Sequence, residues 1–293
     1  MVVLGASACE SARILMNSKS KAHPDGIGAD SGVLGRYLHD STGASRMGIL
    51  PDLIDRDRYN EDGVGGMHMY TPWWKDNKQL DFARGYHIEY WGGMGQPAYG
   101  AGGGMDSLRK YLKDEFGNPS PNGGYGTGLK KDIRRIYGST LGMSGRGESI
   151  PQYSNYCEID PNVVDSFGIP VLRFHYKWTD QEIKQAKHMQ DTFEEILTNA
   201  GATLLGTKPG PESMYGLAAP GRIIHEVGTT RMGSDPKKSV VNEFEQLHDV
   251  DNVFVVDAGP FVSQADKNPT WTILALSWRT SEFIIEQLKK QNI

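Results

Sequence analysis

The sequence predicts an α/β protein in two parts, and three observations carry that expectation. Apolar, β-branched runs lie near both ends, Met1-Val2-Val3-Leu4 and Val253-Phe254-Val255-Val256-Asp257, and each suits a buried strand. Each run is followed by small residues and then by a helical pattern. Between them, glycine runs such as Gly92-Gly93-Met94-Gly95 and Ala101-Gly102-Gly103-Gly104 exclude regular helix and point to long loops over a scaffold.

Taken in order, the first strand passes through the small-residue turn Gly5-Ala6-Ser7-Ala8 into a helix over 11–18, with Ala12, Leu15 and Met16 toward the core. A buried strand at residue 2 calls for neighbours on both sides, so the chain reads as if it began inside a sheet. From 49 to 150 the pattern is loop-rich and aromatic. Alternation over Gly85-Tyr86-His87-Ile88-Glu89-Tyr90-Trp91 predicts a strand there, with short elements over 107–116 and 132–137. Tyr156 to Ile159 and Val171 to Tyr176 predict two strands around a turn-rich connection. Thr179-Asp180-Gln181-Glu182 is a capping box, in which the Thr hydroxyl and Glu carboxylate satisfy free amides. The helix it opens places Ile183, Ala186, Met189, Phe193, Ile196 and Ala200 on one face and stops at Gly201. Asn268-Pro269-Thr270 starts a last helix through Ile273, Leu276 and Phe283.

The 293 residues carry a formal net charge of −5 without a long run of one sign, which excludes a nucleic-acid surface and a polybasic membrane patch. No stretch has the apolar length of a membrane span, and no charged-then-apolar leader is visible, so the compartment is not legible. Cys9 and Cys157 lack metal-type spacing, and His39, His68, His87, His175, His188 and His248 do not pair at ligand spacing; no metal site is expected. Gly93-Met94-Gly95-Gln96-Pro97-Ala98 and Gly124-Tyr125-Gly126-Thr127-Gly128-Leu129-Lys130 brush against nucleotide-binding patterns. The first holds a proline, the second lacks the Gly-Lys-Ser/Thr ending, and both read as loops. Trp73, Trp74, Tyr90 and Trp91 could stack on a sugar ring or pack in a core.

The densest constellation is C-terminal: His225-Glu226-Val227-Gly228-Thr229-Thr230-Arg231-Met232-Gly233, then Ser239-Val240-Val241-Asn242, Asp257-Ala258-Gly259 and Asn268-Pro269-Thr270-Trp271. In order and spacing it resembles the C-terminal signature of the glucose–methanol–choline (GMC) oxidoreductases, and Val3 to Leu15 resembles a mid-chain flavin-domain segment of that family. Gln246-Leu247-His248-Asp249-Val250 looks closest to the gluconate- and glucoside-dehydrogenase branch.

The resemblance implies an FAD-dependent dehydrogenase that oxidises a CH–OH group of a sugar or related alcohol to a carbonyl. His225 would take the hydroxyl proton, since a group of near-neutral pKa suits that transfer, and Asn268 would fix the hydroxyl. Gly5, Ala6 and Ala8, the turn Asp257-Ala258-Gly259, and Asn268, Pro269 and Thr270 at a helix N-terminus would hold the cofactor. Asn268 alone is an ordinary cap, and Asp257 alone merely ends a strand. The expected organisation is a discontinuous Rossmann-like flavin portion over 1–40 and 226–293, and a substrate portion over 41–225 with an antiparallel sheet backed by helices. The family's opening strand, Gly-x-Gly-x-x-Gly turn and helix have no counterpart in these residues, so the chain reads as a fragment, a half completed by a second chain, or a decayed relative. A small partner subunit, a cytochrome or quinone acceptor, and an oxygen-using oxidase as rival remain open, and the substrate is not legible.

Overall fold

A computed structural model describes residues 1–56, 69–71, 78–92, 111–114, 116–120 and 126–293. The chain divides into two compact units: Met1–Ser41, Glu148–Thr179 and Ala219–Ile293 form the first, Thr42–Gly147 and Asp180–Ala218 the second. Relative to the expected division, Ser41, 148–179 and 219–225 fall with the first unit. The reason is packing: Cys157, Ile159 and Leu172 share a core with Ala12, Met16 and Leu38.

In the first unit β1 (Val2–Leu4) pairs in parallel with β9 (Val253–Val255), setting Val3 opposite Phe254. The Gly5–Ser7 turn leads into α1 (Ala8–Asn17), whose N-cap Ser7 sits at φ 87° and accepts from the Glu10 amide. α1 begins three residues earlier than its apolar pattern because this cap fixes the start. β6 (Tyr156–Val164) and β7 (Pro170–His175) form an antiparallel hairpin. The last helix, α4 (Thr270–Lys289), fastens by Ser277 Oγ to the Val256 carbonyl and by Thr280 Oγ1 to Glu245.

One expectation about this unit fails. β1 is not buried: Val2 and Val3 are about half exposed, at 50% and 47%, because among the described residues only β9 pairs with it. α4 likewise shows Trp271 and Trp278 to solvent.

The second unit is a five-stranded antiparallel sheet in the order β3–β4–β5–β2–β8, built from β2 (Thr42–Ile49), β3 (Met69–Thr71), β4 (Tyr86–Gly92), β5 (Thr140–Gly147) and β8 (Thr203–Leu205). The helix predicted by the capping box is α3 (Asp180–Asn199), and its Ala186, Met189, Phe193 and Leu197 close a core with Ala44, Phe82, Tyr86, Ile88 and Met143. Gly201 ends it at φ 77°.

β5 stands within the stretch expected to be loop-rich, and β2 lies where no element is expected, since their glycines lack the β-branched signature of a strand. They are strand glycines because α3 lies close: a Cβ on Gly145 would come within 2.5 Å of Met189 Sδ, and one on Gly48 within 2.9 Å of the Ala202 Cβ. Residues 127–130, also expected in a loop, open α2 (Thr127–Ile136), which extends the expected element at 132–137. Of the element expected over 107–116, the described part is irregular, with Lys113 bridged to Pro119. Trp73, Trp74, the side chain of Trp91 and the stretch 93–98 lie outside the described residues. No helix among the described residues is long and apolar enough to cross a membrane.

Phe193 is fully buried between α3 and the sheet, so Phe193→Ala should cost about 3–5 kcal/mol in denaturant unfolding. Glu245 is completely buried and its carboxyl is pushed up to about 7 by burial, the Thr280 hydroxyl opposing the rise. A raised carboxyl stabilises the fold in its protonated form, fully at low pH and no longer once pH passes about 7. Glu245→Gln, always neutral, should therefore gain on the native protein between pH 4.5 and 8, by on the order of 3 kcal/mol, read from melting curves across that range.

Candidate active site

His225 is held at three points within the first unit. Its main-chain N–H donates to Asp40 Oδ1 at 3.0 Å, its Nδ1 lies 3.2 Å from Ser41 Oγ, and its Nε2 lies 3.4 Å from Asn268 Nδ2. Ser41 Oγ also accepts from Gln264 Nε2 at 3.0 Å. One proton arrangement satisfies these contacts together. Asn268 donates to Nε2, so the ring proton sits on Nδ1 and is given to Ser41, which has a second lone pair for Gln264. Nε2 is then the nitrogen able to accept a proton.

Asp40 is the anchor beneath this arrangement. It is 1% exposed and accepts from the amides of Ser41 (2.8 Å), His225 (3.0 Å) and Gly221 (3.2 Å). Its own N–H donates to the Tyr176 hydroxyl, and its carbonyl accepts from Ser149. Burial pushes its carboxyl up to about 6, reinforced by the charge of Glu226 and opposed by the three amides. A cavity of about 310 Å³ opens here, lined by Cys9, Leu38, Asp40, Phe174, Tyr176, Pro220, Gly221 and Glu226. Burial raises both thiols, Cys157 to about 12, so neither is a nucleophile at neutral pH.

The other sequence-predicted residues gather around two turns of the same unit. Asp257 is 6% exposed and ties the turns together: Oδ2 accepts from Ser11 Oγ and Oδ1 from the Gly259 amide, while the amides of Ser7 and Ala6 also draw its carboxyl toward the charged form. Burial outweighs these bonds and its carboxyl lies above the usual range. Ala8 and Ala258 are buried and share a cluster with Val227 and Phe261. Gly259 is glycine because a Cβ there would come within 2.3 Å of Thr230 Oγ1. Gly5 and Ala6, by contrast, are exposed at the start of α1.

Asn268 is exposed, and Pro269 occupies the N-cap position of α4 with no side-chain cap. The first amides of α4, from Thr270 onward, are thus open to an electron-rich group. Small exposed residues at one helix start and uncapped amides at another suit a flavin's diphosphate and pyrimidine edges, so the residues present fit that group.

Sequence reasoning identified His225 and Asn268 and missed Asp40, Ser41 and Gln264. The latter three carry no local signal: Ser41 lies 184 residues from His225 and 223 from Gln264.

Residues 151–277 match the family model described as GMC oxidoreductase. The chain is 28% identical over 286 residues to a 2-methyl-1,2-propanediol dehydrogenase of Mycolicibacterium austroafricanum, covering 97% of this chain and 47% of that protein. It is 31% identical over 181 residues to the gluconate 2-dehydrogenase flavoprotein of Pantoea cypripedii, covering 61% of this chain and 29% of the relative. Its fold matches an Aspergillus oryzae formate oxidase with a TM-score of 0.64 at 14% identity, over 99% of this chain and 54% of that one. The chain thus spans about half the length, or less, of these proteins. Residues 151–277, which hold His225 and Asn268, thus match the GMC oxidoreductase model, and the chain shares its fold with a formate oxidase.

Proposed function

We propose that this chain is the catalytic half of an FAD-dependent dehydrogenase that oxidises a secondary or primary alcohol of a sugar or related polyol. The observation that carries the reading is the pairing of His225 Nε2 with Asn268 Nδ2 at 3.4 Å, with Nδ1 braced by Ser41. Bound FAD supplies the acceptor for the hydride leaving the alcohol carbon.

The residues of this chain do the rest. Nε2 of His225 receives the hydroxyl proton as the C–O bond becomes a carbonyl, and Ser41 stabilises the imidazolium by accepting from Nδ1. Asn268 orients the hydroxyl so that its carbon presents the hydride in one direction. Asp40, fixed by three main-chain amides, keeps the 221–225 segment from shifting.

Gly5, Ala6, Ala8, Asp257, Ala258 and Gly259 hold FAD through the shape of their turns, and Asn268, Pro269 and Thr270 through the open end of α4. The first unit serves as the flavin portion, and the sheet unit as the substrate portion. Two of the relatives are named dehydrogenases, which supports that reading; the proposed electron acceptor is a cytochrome or quinone, with a small partner subunit, and hydrogen peroxide release under air would assign an oxidase instead.

His225→Gln in the whole flavoprotein should lower kcat by roughly 10²–10⁴ while the flavin absorbance is retained. Unchanged turnover sinks the base assignment, whereas sugar binding without turnover in the native protein would mark a carbohydrate-binding protein. Ser41→Ala, which removes one hydrogen bond to Nδ1, should lower kcat by roughly tenfold with little change in KM and shift the pH profile of kcat/KM.

A further inference from the structure

A second cluster of chemistry-bearing side chains lies in the first unit and shares no residue with the His225 network. His23, Asp30 and Asp249 bring one ligand atom each to within 4.8 Å of one another. His23 Nδ1 is 3.9 Å from Asp249 Oδ2, a separation that one ion in contact with both would span. We propose that these three residues form a binding site for a divalent transition-metal ion of the zinc class.

The groups are arranged for a cation and keep unsatisfied atoms beside the one bond that Asp249 Oδ2 accepts from Gly28. The Asp249 side chain is 10% exposed, and its Oδ1 is buried without a hydrogen-bond partner. His23 Nδ1, a ligand atom, is also buried and unpartnered. Two carboxylates this close repel each other, and among the described residues neither Asp30 nor Asp249 is paired with a lysine or arginine. A divalent ion between them removes that repulsion and satisfies both orphaned atoms.

The scaffold around the three residues is already fixed. Asp249 Oδ2 accepts from the Gly28 amide at 2.7 Å, which orients the carboxylate as outer hydrogen bonds orient metal ligands. His23 is set by a turn in which its amide donates to Ser20 Oγ and its carbonyl accepts from the amides of Ser20 and Gly26. Asp30 stands in the single 3-10 turn Ala29–Ser31, beside a cleft of about 170 Å³ lined in part by Gly28, Asp249 and His248.

The donor set decides the class of ion. One imidazole nitrogen and two carboxylate oxygens leave a fourth tetrahedral position for water, as zinc accepts. Calcium, which takes six to eight oxygens, is poorly served by three ligands of which one is nitrogen. An ion here would clamp the loop after α1 to the turn before β9, so its effect is on stability.

The test is a zinc titration of the full chain after chelator treatment and desalting, followed by calorimetry and melting temperature. One equivalent should bind, and the melting temperature should rise by about 3–5 °C at a hundredfold excess over Kd, with calcium giving no rise. Asp249→Asn keeps the side-chain size, and Asp30→Asn changes an exposed residue that cannot unfold the protein; each should weaken zinc at least about tenfold. His175→Ala removes the exposed histidine that pairs with Glu158 and should leave the affinity unchanged. No rise with zinc, or the same rise in Asp30→Asn, overturns the site. Calcium binding tighter than zinc overturns the assigned class.

Discussion

The first unit sets most of its site on irregular backbone, and buried irregular backbone persists only where each N–H and C=O finds a partner. Two buried carboxylates, Asp40 and Asp257, help meet that demand, and a third, Glu245, ties in a helix through a side-chain hydroxyl. Asp40 collects the amides of Ser41, Gly221 and His225; Asp257 binds the Gly259 amide together with the Ser11 hydroxyl; Glu245 accepts from Thr280 on α4. These groups hold the segment bearing His225, the Gly5–Ser7 turn and the middle of α4 in place. Each bond carries an electrostatic cost, seen as carboxyls raised by burial even while amides and hydroxyls pull them down.

That balance bears on the chemistry. A histidine serves as a base when its ring is held in one tautomer and faces one direction. Here the direction comes from Asn268 on one side and Ser41 on the other, and Ser41 is itself fixed by the same Asp40 that fixes the His225 backbone. Ring and main chain are thus tied to one carboxylate. A shift of the 221–225 segment would be felt at Nε2 directly, which is the precision a proton transfer coupled to hydride loss requires.

Much of this was legible in the sequence, and the rest was hidden for identifiable reasons. α3 announces itself through a capping box and a 3.6-residue apolar period, and β1 and β9 through apolar β-branched runs; these signals are local. β2 and β5 were not legible, because Gly48, Gly145 and their neighbours answer to the close approach of α3, a tertiary constraint that erases the strand pattern. His225 and Asn268 were legible only as parts of a family-type spacing, while Asp40, Ser41 and Gln264 act through contacts that no run of residues encodes. His23, Asp30 and Asp249 were invisible for the same reason: no ligand-type spacing joins residues 23, 30 and 249.

The signature residues divide by how they act. His225 and Asn268 present side-chain atoms to each other, and the proposed chemistry rests on those atoms. Gly259 and Asp257 do not reach outward: the glycine is demanded by Thr230, and both oxygens of Asp257 are engaged within the protein. Their effect is on the path of two turns, one after β1 and one after β9, whose strands pair in parallel and so deliver both turns to the same edge. The turn after β1 runs into α1, and the turn after β9 packs Gly259 against Thr230, so small residues of both turns lie near one helix start, an arrangement that suits an anionic dinucleotide. On the proposed reading, FAD would be held at these two turns by backbone geometry, and Gly259 and Asp257 serve to keep that geometry.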